Sequence, residues 1–289
     1  METRTLETAG AALVYDVDGP LPTADGRPPL FMIGQPMTAD GFRALASFFS
    51  DRTVITYDPR GLGRSTRSDG RSDNVPATQA EDVHAIITAL HAGPVEMFAS
   101  SGGAVTALAL VAAHPADVTL LVAHEPPMVT VLPDADAAAR AVAGFQDAYA
   151  TGGWGAGMAA FLAMTMWRGE FTDEFFAQSR PDPAQFGMPS ADDGSRDDPL
   201  LSERSKAVPS YRPDIDALRS APARVVIGVG EESVGTFTGR TAAATAELLN
   251  QEATVFPSHH GGFVGGDTPY AGKPEEFART LHGILDTTS

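Results

Sequence analysis

Short apolar, β-branched runs alternate with longer stretches of helical spacing along most of the chain. That rhythm predicts an α/β fold: a mostly parallel sheet covered by helices on both faces. An opening strand is expected over 11–17, and a second over 30–33 that stops at Gly34-Gln35-Pro36. Helical spacing follows over 42–49. The strand over 53–57 ends at Asp58-Pro59-Arg60-Gly61, a turn by composition. A helix over 77–92 would carry Val83, Ile86, Ile87 and Leu90 on one face. A strand over 95–99, a helix over 103–113 and a strand over 118–123 continue the alternation.

The rhythm then breaks. Helical spacing over 137–150, 157–167 and 173–179 gives way to a Pro-, Asp- and Ser-rich stretch over 181–199, polar enough to read as a loop. Strand rhythm returns over 224–229, with a helix over 238–250, a strand over 252–257 and a last helix over 274–285. The pattern reads as one α/β core, residues 1–126 and 219–289, interrupted by a helical cap over 127–218. No internal repeat is apparent.

Chemistry concentrates where strands end. The strand at Val95 runs through Phe98-Ala99-Ser100-Ser101-Gly102-Gly103 into a helix. A serine on such a strand-to-helix bend projects its hydroxyl beyond the sheet, and small neighbours let the bend close. The helix that follows offers unpaired N–H groups where an oxyanion would form. Counting from the small positions Ala99 and Gly103 makes Ser101, not Ser100, the candidate nucleophile.

A base is expected on the loop after the last strand. That loop reads Ser258-His259-His260-Gly261-Gly262, and His260 is preferred because the paired glycines free its loop to approach. A neutral imidazole accepts a serine proton near neutral pH. His84, His91, His114, His124 and His282 fall on predicted helices or strand ends and read as structural.

An imidazole base needs a carboxylate partner. The loop after the 224–229 strand offers Glu231 and Glu232, followed by Ser233, whose hydroxyl cannot supply a charge. The alternative is Glu125, in Ala123-His124-Glu125-Pro126-Pro127, one strand beyond the nucleophile and held by two prolines. Glu125 is preferred, with Glu231 and Glu232 left open. Gly34-Gln35-Pro36-Met37 occupies the place of a second oxyanion donor. The Gln35 and Gly102 N–H groups would share that task, each worth roughly 3–4 kcal/mol to the reaction.

Composition removes several competing functions. The 289 residues are 43% hydrophobic, enough for a full core without staples. The absence of cysteine excludes disulfides, thiolate metal sites and thiol nucleophiles. A net charge of −17 disfavours nucleic acid and anionic membrane surfaces as partners. The Asp58–Ser65 turn lacks the Lys of a phosphate loop. No signal peptide and no apolar run near the ~20 residues of a membrane span is visible, so a cytoplasmic protein is the default expectation. Monomer and homodimer are both compatible with the sequence.

Together, in order and spacing, these segments resemble the α/β-hydrolase superfamily across nearly the whole chain outside the cap. Asp58-Pro59-Arg60-Gly61-Leu62-Gly63-Arg64-Ser65 looks like that superfamily's turn after its fourth strand, and Ile33 replaces the histidine usual before Gly34. Ser100-Ser101-Gly102-Gly103 followed by His124-Glu125-Pro126-Pro127 is similar to the zearalenone-type lactonases. That resemblance implies a Ser–Glu–His triad and favours Glu125 as its acid. The expected activity is hydrolysis of a carboxylic ester or lactone, with no cofactor and no metal. Gly34, Met37, Trp154, Met164 and Trp167 are candidate contacts for a hydrophobic small-molecule substrate. The cap aromatics are also spaced like a core face, which reads as packing. Acyl transfer or C–C bond hydrolysis by the same triad, and a non-catalytic ligand-binding protein on the same scaffold, are the competing readings.

Overall fold

A computed structural model describes residues 1–266 and 270–287. The chain opens with an antiparallel pair, β1 (Glu2–Thr8) and β2 (Ala11–Asp18), in which Glu2 faces Val17 and Thr8 faces Ala11. β1 has no counterpart in the sequence reading. Only its inward positions are partly covered, and Thr-Arg-Thr-Leu-Glu-Thr offers one apolar residue to signal a strand.

Next come β3 (Leu30–Gln35), the one-turn α1 (Arg43–Ala46), β4 (Val54–Tyr57) and the two-residue β5 (Thr66–Arg67). The helix expected over 42–49 is thus only a 3-10 turn (Ala39–Phe42) leading into α1. α2 (Pro76–Leu90) starts with proline in its first turn, where the missing N–H costs nothing, and ends at His91 in the left-handed region. β6 (Val95–Ser101) leads directly into α3 (Gly102–Ala113), and β7 (Val118–His124) follows.

The segment after β7 holds α4 (Ala135–Met166), α5 (Asp173–Phe176) and α6 (Ile215–Ser220). α4 is interrupted at Gly153, whose φ of 79° and ψ of −171° are non-helical. The break falls between the two helices expected over 137–150 and 157–167. The core then resumes with β8 (Arg224–Gly230), α7 (Phe237–Leu248), β9 (Thr254–Phe256) and α8 (Pro274–Asp286).

The sheet order is β1-β2-β4-β3-β6-β7-β8-β9, with β5 beside β2. β2 is antiparallel to β1, β4 and β5, whereas β4, β3, β6, β7, β8 and β9 run parallel. This is the α/β-hydrolase fold. β3 is buried at every position, and β6 and β7 are buried at all but one each, as strands covered on both faces must be.

One apolar layer packs α2 and α3 on the sheet through residues such as Val83, Ile87, Leu108 and Val111. The other packs Phe42 and Leu45 with Phe277, Leu281 and Leu285 of α8. Those last three recur every fourth residue, and each buried side chain stabilises by about 1.5–3 kcal/mol. A third cluster, including Val142, Phe145, Tyr149 and Leu201, belongs mainly to the segment between β7 and β8. Among the described residues, no helix is long and apolar enough to cross a membrane.

Candidate active site

In a parallel sheet, loops that follow the strands collect at one edge, where α/β proteins bind ligands. Register shows which residues meet there. Gln35 lies opposite Ser101, Ser100 opposite His124, and His124 opposite Gly228. Ser101 and Glu125 are therefore each one residue past a paired position on neighbouring strands, about 4.8 Å apart in the sheet.

Both residues leave their strands through uncommon backbone. Ser101 has a φ of 58° and a ψ of −129°, and Glu125 a φ of 49°. Ser258, just before the histidine pair, has a φ of 69°. Five described non-glycine residues have positive φ, and three of them stand at this edge. Such conformations cost about 1–3 kcal/mol each and persist where the surroundings enforce them.

Glycine makes the Ser101 bend possible. A Cβ on Gly103 would lie 2.6 Å from the Gly34 Cα and 2.8 Å from the Ile33 carbonyl oxygen. A Cβ on Gly102 would lie 2.9 Å from both the Cβ and the carbonyl oxygen of Gln35. The first turn of α3 therefore presses onto the end of β3, bringing the Gly102 backbone beside Gln35. Gln35 itself is buried and joined to Pro36 by a cis peptide bond.

Glu125 is fully buried and its carboxylate has three partners. Oε1 accepts from the Gly230 N–H at 2.8 Å. Oε2 accepts from the Thr238 hydroxyl at 2.5 Å and from His260 Nδ1 at 2.6 Å. Burial alone would raise this carboxyl, but hydrogen bonds from His260 and Thr238 and the nearby imidazoles hold it well below the usual carboxylate range. It remains a buried anion. Because the carboxylate accepts at Nδ1, that nitrogen carries the proton and Nε2 keeps its lone pair.

The other acids lie elsewhere. Glu231 accepts from the Ser258 N–H at 3.0 Å and from Lys273 at 3.2 Å. The Glu232 N–H donates to the Ser258 carbonyl at 3.1 Å, and Ser233 is buried. Of the two adjacent histidines, His259 accepts from the Gly261 N–H and lies 5.0 Å from the Tyr270 ring, while His260 alone meets Glu125. Among the described residues, the Ser101 hydroxyl has no hydrogen bond, to His260 or to any other group. Nucleophile-to-base contacts are commonly long without substrate and tighten when it binds.

Two contributors escaped the sequence reading. Thr238 begins a predicted helix, where threonine carries no distinctive signal, yet it supplies the hydroxyl on Glu125. Gly230 supplies the backbone donor, and a Cβ there would lie 2.7 Å from the Ser258 carbonyl oxygen. His124 is fully buried, with its ring 5.3 Å from Phe277, 5.6 Å from Phe256 and 6.2 Å from His260. Neither of its ring nitrogens has a hydrogen-bond partner. Burial pushes this imidazole down to about 4, so it is neutral at physiological pH.

The remaining candidates line up differently. Met37 packs beside Gly34 and against the Phe42 cluster. Met164 is only 1% exposed inside the apolar cluster of the β7–β8 segment, where it serves packing. Trp154 donates to Asp198 at 3.2 Å and Trp167 to the Glu170 carbonyl at 3.0 Å, both at the partly covered edge of that cluster. The Asp58–Ser65 turn is a structural device. Asp58 accepts from the Ala39 and Arg64 N–H groups and from the Arg64 side chain.

The model of the alpha/beta hydrolase fold family matches residues 30–204, and the chain belongs to that family. It is 25% identical to the uncharacterized hydrolase YraK of Bacillus subtilis (strain 168), across 98% of this chain and 95% of YraK. A thermophilic esterase from Thermogutta terrifontis superposes with a TM-score of 0.64 at 17% identity, covering 99% of both chains. Est816, an N-acyl homoserine lactone degrading enzyme, superposes with a TM-score of 0.62 at 22% identity, covering 97% of this chain and all of Est816. At such identities the two solved structures bear on fold alone. The protein is a hydrolase of this family.

Proposed function

We propose that the protein is a serine hydrolase of carboxylic esters or lactones, with Ser101 as nucleophile, His260 as base and Glu125 as the acid that orients it. The observation that carries this reading is the 2.6 Å hydrogen bond from His260 Nδ1 to a buried, ionised Glu125. That bond leaves Nε2 free to take the Ser101 proton. Ser101 Oγ attacks the acyl carbon as His260 accepts its proton, and the Gln35 and Gly102 N–H groups hold the oxyanion. Collapse breaks the carbon–oxygen bond and His260 Nε2–H protonates the departing alkoxide. In a lactone the alcohol stays tethered to the acyl group. Water then attacks the acyl-enzyme by the same route in reverse, with His260 again the base.

The segment over 127–218 acts as a cap over this edge. Gly34, Met37, Trp154 and Trp167 present apolar surface to a hydrophobic acyl or ring substrate, and Met164 supports them from within. The esterase and the lactone-degrading enzyme among the structural neighbours are in keeping with this substrate class, as is the similarity of Ser100–Gly103 and His124–Pro127 to zearalenone-type lactonases. Aryl esters, small lactones and macrocyclic lactones form the test panel, with Ser101→Ala as the blank. Hydrolysis by the wild type that is abolished in the blank is expected. Activity undiminished in Ser101→Ala, or inertness toward the whole panel, overturns the reading.

A further inference from the structure

At the far end of α3 from Ser101, two histidines from different elements come together. The rings of His84, on α2, and His114, which caps α3, are stacked with centroids 3.8 Å apart and planes 8° from parallel. Asp117, three residues past His114, lies 2.6 Å from His84 Nδ1. Glu81, one helical turn before His84, lies 2.9 Å from His114 Nε2. One ligand atom from each of His84, His114 and Asp117 falls within 4.8 Å of the other two.

We propose that His84, His114 and Asp117 form a binding site for a divalent transition-metal ion of the zinc class, with Glu81 holding the His114 ring from outside. Two imidazoles and one carboxylate suit zinc, nickel or copper and suit magnesium or calcium poorly, since those ions prefer oxygen ligands. Around a tetrahedral ion with bonds of about 2.1 Å, donors sit about 3.4 Å apart. Donors 4.8 Å apart thus need to close by about 1.4 Å. Any use of His84 Nδ1 also needs its 2.6 Å contact with Asp117 to open. Both are within reach of side-chain rotation because all three residues are only partly buried. The His114 ring already meets Glu81, a carboxylate outside the donor set, through Nε2, the arrangement that fixes tautomer and orientation in metal-bound histidines. Their backbones are held firmly too. The Asp117 N–H donates to the His114 carbonyl at 3.0 Å, and the Asp117 carbonyl accepts from Val95 at 2.9 Å.

A bound ion would join α2, the end of α3 and the entry to β7. The twelve residues of α3 separate this site from Ser101 by about 18 Å, so its role is to brace the scaffold and not to take part in acyl chemistry. The overall charge of −17 favours cation binding at any such donor set.

The test is calorimetric titration of the chelator-treated full chain with zinc and nickel chloride, and with magnesium chloride for contrast. Thermal melting is followed in parallel. Saturable binding of one zinc or nickel equivalent at micromolar concentration is expected, with a rise in melting temperature and no response to magnesium. His84→Gln and His114→Gln should each weaken binding by about 10-fold or more and erase the thermal gain, while ester hydrolysis without metal stays at the wild-type level. Asp117→Asn offers a third variant should either histidine change impair folding. His282→Ala, far from the cluster, reports on adventitious binding and should change nothing. Absence of saturable binding, or affinity within 10-fold of the wild type in any folded variant of His84, His114 or Asp117, overturns the proposal.

Discussion

His260 donates from Nδ1 to Oε2 of Glu125 at 2.6 Å, and Glu125 has no exposure to solvent. The residues are 135 positions apart and arrive from different strand ends, Glu125 after β7 and His260 after β9. A buried carboxylate this well satisfied fixes the imidazole's orientation and the place of its proton. Loss of the carboxylate charge should therefore cost more than loss of any neighbouring acid. Glu125→Gln is expected to lower kcat by about 10³–10⁴-fold, the scale seen when a triad acid becomes an amide. Glu231→Gln and Glu232→Gln should stay within a few-fold of wild type, and steady-state kinetics on one ester separates the three.

Thr238 donates the shorter of the two non-imidazole hydrogen bonds to Glu125. A hydrogen bond to a charged group contributes about 1.5–3 kcal/mol. Thr238→Val should thus reduce kcat/KM by roughly 10- to 100-fold while leaving KM nearly unchanged, because in the proposed mechanism the hydroxyl acts through Glu125 and not on the substrate. Thr238→Ser should restore most of the rate.

Gly103 is wedged against backbone, not against a side chain that can swing away. Gly103→Ala should therefore destabilise the fold by about 1–3 kcal/mol, the usual penalty of overpacking. Urea denaturation measures that loss. Activity should fall further than stability does, since the same contact sets the Gly102 N–H beside Gln35.

His124 ties stability to pH. Its imidazole titrates near 4 when folded and near 6.5 when unfolded. Below about 6.5 the unfolded chain takes up a proton that the folded chain refuses, so this residue's contribution to stability is present above that pH and fades as pH falls toward 4. Between pH 7 and pH 5 the loss is about 2 kcal/mol. In His124→Phe, which keeps an aromatic ring among Phe98, Phe256 and Phe277, that part of the pH dependence should vanish. Urea midpoints at the two pH values give the answer.

The parallel strands were legible in the sequence because burial on both faces leaves near-continuous apolar runs, as in Leu30–Gln35. β1 was hidden because its half-exposed face is polar, and the 42–49 helix was overdrawn because apolar spacing does not reveal where a 3-10 turn takes over. Ser101, Glu125 and His260, the proposed triad, could be singled out as candidates because each stands at or after a strand end in a local context with little freedom. Thr238 and the Gly230 N–H could not, since a helix-starting threonine and a backbone donor become meaningful only when a side chain 113 or 105 residues away reaches them. The same limit hid the His84–His114 pair. Each histidine alone reads as structural, and only the packing of α2 on α3 brings the rings face to face.

Whether Ser101 is a reactive alcohol can be read directly with a fluorophosphonate probe. Mass spectrometry of the labelled protein should place one covalent adduct on Ser101, with labelling strongly slowed in Glu125→Gln and lost in Ser101→Ala. An adduct that persists in Ser101→Ala, or a folded wild-type protein that takes up no probe, would mean that Ser101 is not the nucleophile.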